Sequence, residues 1–215
     1  MWLKKHLSIL LMFVLAGAFA QKNIYESHAF DELSKDHHIL AIIPFFTTLD
    51  LKVPVSKENQ EVLEEKEGYA VQNALETYFS RSQKRKKFNV EFQNIKNTNA
   101  LLAQNGINYQ NIDTYTIEQL GKVLGVGGII SGNLELNILL SEGEETEFSL
   151  LDYILGEADY GWIGIKISDG KTGKLLWKYE KEITKKSGKN TDDLIDRMMK
   201  AAARKFPYDK EKSKT

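Results

Sequence analysis

Apolar positions in this chain fall into runs, alternations and helical spacings, and each grouping predicts an element. His38-Ile-Leu-Ala-Ile-Ile-Pro-Phe-Phe46 is a continuous apolar run. Its length and β-branched content predict a buried central strand, with Pro44 marking its end. A loop over 47–57 follows. Leu63, Ala70, Val71, Ala74, Leu75, Tyr78 and Phe79 then recur at helical spacing. They predict one long helix to about Arg81, N-capped by Ser56. Phe88-Asn-Val-Glu-Phe92 alternates and predicts a second strand.

Two short helices are expected next. One covers Asn99 to Gln104 and stops at Gly106. The other opens on the capping box Thr116-Ile-Glu-Gln119 and ends at Gly125. Val126 to Leu136 predicts a strand with glycines in its first half, and residues 137–158 form an insertion without an assigned element. The clearest local pattern follows: strands over Tyr160–Ser168 and Lys174–Thr184, joined by Asp169-Gly-Lys-Thr-Gly173. Ile163, Ile165 and Ile167 share one face of the first strand. Leu175, Trp177 and Tyr179 share one face of the second. Leu194, Ile195, Met198, Met199 and Ala202 give a last helix over 191–206, stopped by Pro207.

The order is β-α-β-α-α-β-(insertion)-β-β-α. It predicts an α/β (α+β) fold with a single mixed sheet covered by helices. Residues 21–37 read as a polar arm with Tyr25 and Phe30 as apolar anchors, 38–206 as one domain and 207–215 as a solvated tail.

The first twenty residues change the picture of where this domain works. Lys4 and Lys5 precede an apolar run from Leu7 to Leu15, and Ala18-Phe19-Ala20 puts small residues where a signal peptidase reads them. That layout is a secretory signal with Gln21 as the expected mature start, so the expected address is the periplasm or the exterior. No later segment approaches the ~20 apolar residues of a spanning helix. The chain has no cysteine. A disulfide-stapled fold, a Cys-ligated metal and a lipid-bearing Cys after the signal are excluded together. The net charge is −1, which argues against a general nucleic-acid binder.

No constellation in the chain identifies a reaction, and no catalytic residue, metal or cofactor site is assigned. His37 and His38 are adjacent, so on a strand they point to opposite faces and chelate poorly. Gly125-Val-Gly-Gly128 fails as a dinucleotide fingerprint because it leads into a strand, with Ile130 in place of the third glycine. A helix cap and close packing explain it better. Asp169-Gly-Lys-Thr-Gly173 is explained by a hairpin turn. The basic run Arg81–Lys87 suits the C-terminus of the long helix. The strongest contact candidate is the insertion. Phe148, Leu151, Ile154 and Leu155 lie at helical spacing, with Tyr153 among them, as for a short helix packed on the domain or offered to a partner.

Three phrases carry a resemblance: Ile39-Leu-Ala-Ile-Ile-Pro-Phe45, Leu120-Gly-Lys-Val-Leu-Gly125 running into Ile129-Ile-Ser-Gly132, and Asp169-Gly-Lys-Thr-Gly-Lys-Leu-Leu-Trp177. In these the chain resembles a superfamily of bacterial envelope proteins that includes the TolB amino-terminal domain, the curli-secretion lipoprotein CsgG and penicillin-binding-protein activator lipoproteins. The resemblance implies an α/β domain that binds partners in the cell envelope. The expected function is a non-catalytic binding or assembly module with an envelope protein partner and room for self-association. A secreted hydrolase with dispersed site residues and a small-ligand binding protein are the alternatives.

Overall fold

The computed structural model describes residues 23–51, 55–85, 87–141, 159–184 and 187–209. The strands are β1 (Ile24–Glu26), β2 (Ile39–Ile42), β3 (Phe46–Leu49), β4 (Glu91–Phe92), β5 (Gly128–Leu136), β6 (Asp159–Asp169) and β7 (Leu175–Thr184). The helices are α1 (Phe30–Ser34), α2 (Lys57–Lys84), α3 (Ile95–Gln104), α4 (Ile117–Leu124) and α5 (Thr191–Ala202). A 3-10 turn over Ala203–Lys205 extends α5. These strands form one mixed sheet in the order β1-β7-β6-β5-β2-β4, with β3 also paired to β5. The single mixed sheet with packed helices is the α/β architecture read from the element order.

The predicted strand over 38–46 is two strands in the structure. β2 runs parallel to the first part of β5 and β3 parallel to its last part. The break falls at Ile43-Pro44-Phe45, where Pro44 has no N–H to offer a ladder. Phe45 turns into the core there and is fully buried. Its ring packs over Gly132, where a Cβ would come within 2.3 Å of it.

The free edge of β3 is closed by side chains. Tyr109 Oη accepts from the Thr47 amide at 3.0 Å and donates to the Glu64 carbonyl at 3.0 Å. Glu64 accepts from the Leu49 amide at 3.0 Å, and Gln60 donates to the Leu49 carbonyl at 3.0 Å. An edge that would otherwise invite another strand is thereby satisfied from α2 and the loop after α3.

Local signals hold at the helix ends. Ser56 accepts from the Asn59 amide to open α2, which runs to Lys84 rather than Arg81. Thr116 and Gln119 form the reciprocal capping box, and Gly125 ends α4 at φ +65°. α3 starts four residues early, because Asn94 caps it. The strand expected over 88–92 is shorter, with pairing to β2 confined to Glu91 and Phe92. Phe88 instead bridges to Asp209.

Each face of the sheet has its own core. On one face α2 and α5 cover every strand from β4 to β7. Leu40, Ile42, Ile130, Leu134, Ile163, Ile165, Ile167 and Trp177 meet Val71, Leu75, Phe79, Ile195 and Met198 there. On the other face α3 and α4 make a smaller core with Ala41, Ile43 and Ile129. α4 reaches the hairpin end of β6, where Gly121 lies so close to the Gly170 carbonyl that a Cβ would meet it at 2.3 Å. No described helix is long and apolar enough to cross a membrane.

Candidate functional site

Among the described residues, the second face of the sheet is left half open. Apart from α4 at the hairpin end of β6, no described helix packs on this side of β1, β7, β6 and the end of β5. Strand register arranges the side chains of this area in three cross-strand rows. Tyr25, Lys178, Lys166 and Ser131 form the first row. Glu180, Gly164, Asn133 and Phe46 form the second. Glu182, Trp162, Glu135 and Thr48 form the third. One end of the face is therefore basic and the other acidic.

Its centre is aromatic. Gly164 is a poor strand residue by propensity, and its place here has a packing cause. A Cβ at Gly164 would stand 2.6 Å from the six-membered ring of Trp162, so the indole lies over the bare glycine backbone. Phe46 and Tyr25 lie at the lateral edges of the face, on β3 and β1, 49% and 47% exposed. Lys166 Nζ donates to Asn133 Oδ1 at 2.8 Å. Lys178 pairs with Glu180 at 2.8 Å on the same strand. Large, partly exposed aromatic side chains set among polar residues are the composition of contact surfaces.

The histidines separate. His28 and His38 are exposed, and His37 is buried. His37 Nε2 lies 2.9 Å from Asp169 Oδ1, and Nδ1 lies 2.6 Å from Tyr208 Oη. An ionised carboxylate only accepts, so Nε2–H donates to Asp169 and the Tyr208 hydroxyl donates to Nδ1. Asp169 Oδ2 accepts from the Thr172 amide at 2.8 Å and from its hydroxyl. Burial alone would raise the Asp169 carboxyl, but the bonds from Thr172 and His37 outweigh it and hold it below the usual carboxylate range. Burial, then the nearby Asp169 charge, pushes the Tyr208 hydroxyl up. Both ring nitrogens and both carboxylate oxygens are used inside the fold. The cluster ties the start of β2, the hairpin and the C-terminal segment together.

That tie also accounts for Gly127 and Gly128. A Cβ on Gly127 would stand 3.0 Å from the His37 ring, and one on Gly128 2.7 Å from Leu40 and 3.2 Å from His37. The close-packing reading of these glycines holds. The predicted solvated tail starts later than expected, since Tyr208 and Asp209 are buried. Tyr208 packs edge-on to Phe30 at 5.2 Å.

The contact candidates Phe148, Leu151, Tyr153, Ile154 and Leu155 lie outside the described residues. The loop expected over 47–57 is in part β3, and 52–54 lie outside the described residues. From the basic run, Arg81 donates to the Thr77 carbonyl and Lys87 pairs with buried Asp209 at 3.1 Å. Both cations are anchored within the fold. No group of three or more His, Cys, Asp or Glu suited to a metal occurs among the described residues. The open half-face was missed in the sequence. Its signal was the alternation of Trp162, Gly164 and Lys166 opposite Ile163, Ile165 and Ile167.

No family model matches this chain, and no curated protein sequence does either. Solved structures with a similar fold include lipoprotein GNA1162 from Neisseria meningitidis, at a TM-score of 0.45 and 12% identity, covering 78% of this chain and 96% of that one. The C-terminal domain of LpoB from Salmonella enterica gives 0.35 and 9%, covering 68% and 82%. A PelC dodecamer from Paraburkholderia phytofirmans gives 0.37 and 11%, covering 76% and 87%.

Proposed function

We propose that this protein is an exported, non-catalytic binding or assembly module of the bacterial envelope, working through protein–protein contacts. The observation that carries the reading is the open half-face, with the Trp162 indole laid on Gly164 between charged rows. An antiparallel sheet can turn one face to water without any partner. A face made only for water has no use for an indole, because burying its outer side against another chain is where its apolar area gains free energy. The His37 cluster, by contrast, is spent on internal bonds and offers no free group to a substrate.

The same proposal includes removal of the leader before Gln21 and kinship with the TolB-like and CsgG-like superfamily through the three phrases quoted above. It keeps Phe148–Leu155 as a second contact segment, where Leu151→Asp should weaken partner capture and leave thermal unfolding nearly unchanged.

Photocrosslinking in cells tests the reading. A photoreactive residue replaces Thr48, which is exposed at the edge of the open face, or Lys200, exposed on α5. Discrete protein adducts from position 48 and none from position 200 are expected. Equal labelling from both positions, or none from position 48, would refute it.

A further inference from the structure

The open face is complementary to itself. The face spans five strands from β1 to β3, about 19 Å at the usual strand spacing, and its outer rows stand about 14 Å apart along the strands. Lys178 and Lys166 lie in one outer row, and Glu182 and Trp162 lie at the same two strands in the other. Consider a two-fold axis parallel to the sheet, running along the middle row through Gly164. It lays a second copy face to face and exchanges the outer rows while keeping each strand over its own equivalent. Lys178 then meets the second copy's Glu182, and the Trp162 indole, which lies over Gly164 on the axis, meets the second copy's indole. Phe46, in the middle row, meets its own equivalent. The charge pair off the axis occurs twice and residues on the axis meet their own equivalents, which is the mark of an isologous interface. Opposite charges across the interface and aromatic rings stacked on its axis are favourable.

Glu180 is the apparent objection, since it too lies in the middle row and would face its equivalent. Its carboxylate is already paired with Lys178 at 2.8 Å on its own strand. The like charges are therefore offset within each copy.

We infer that this face is a two-fold, face-to-face interface between two copies of this chain. The inference rests on the reading of the protein as a contact module and names one occupant for its surface. The face is smaller than the ~800 Å² per partner of a standard stable interface, so association should be reversible and concentration-dependent.

Sedimentation of the purified exported protein over a concentration series is the test, with thermal unfolding confirming that each variant folds. The wild type should pass from monomer to dimer as concentration rises. Lys178→Glu and Glu182→Lys should each weaken dimerisation at least tenfold. The double variant, with the charges exchanged, should recover most of the loss, because the pairing is reciprocal. Trp162→Ala should weaken it too. A wild type that stays monomeric at every concentration overturns the inference. So does a dimer indifferent to these changes, or a double variant no better than the single ones. A strict monomer that still gives adducts with other proteins from position 48 would end this inference and leave the module reading intact.

Discussion

His37 donates from Nε2 to Asp169 Oδ1 at 2.9 Å, joining residues 132 positions apart in the chain. Tyr208 closes the other side of the ring, so three distant segments share one buried polar knot. Breaking such a knot leaves buried polar atoms without partners, which costs more than the lost bond itself.

The knot should appear in acid stability. The Asp169 carboxyl is held below its usual range in the folded state. Its stabilising contribution is therefore complete above the unfolded value of about 3.9, and it is lost as pH falls through the lowered folded value. Denaturant midpoints below about pH 4 should fall more steeply for the wild type than for Asp169→Asn. Parallel curves would show that another carboxylate governs the acid limb.

Trp177 is the largest fully buried side chain among the described residues, and its Nε1 donates to the Lys205 carbonyl at 3.0 Å. Its ring stands 5.7 Å from that of Phe206 in an edge-on contact. Trp177→Ala should cost roughly 3–5 kcal/mol, read from a denaturant titration. Trp177→Phe keeps most of the packing and loses the hydrogen bond. It should cost less, although it leaves the carbonyl unpaired.

Tyr109 guards the β3 edge through one hydroxyl that both accepts and donates. Tyr109→Phe should cost about 1–3 kcal/mol, since it strands the Thr47 amide. Hydrogen exchange at Thr47 should accelerate, while amides in β6 stay protected. No change at Thr47 would mean that the edge is held by Glu64 and Gln60 alone.

Much of this fold was legible because its signals are local. The capping box at Thr116, the stop at Gly125 and the turn at Asp169–Gly173 each act within a few residues, and each is where the sequence puts it. The hairpin faces were legible for the same reason, with one exception. The ladder shifts register between Ile167 and Ser168, so Leu176 is fully buried and Leu175 only half-buried. β1 was not legible, because Ile24–Glu26 gains its strand character only from pairing with β7. Nor was the split of β2 from β3, which depends on Phe45 finding Gly132 from another strand. The candidate surface was hidden for a related reason. Alternation shows which residues share a face, but which described helices reach that face is a property of the whole topology.

On this reading, a protein covers the open half-face in the envelope. Hydroxyl-radical footprinting of Trp162 reads this directly, with fully buried Trp177 as the internal reference. Trp162 should oxidise several-fold more slowly in intact envelopes than in dilute purified protein, with Trp177 protected in both. Equal Trp162 oxidation in the two settings would show that no protein covers this face in the envelope.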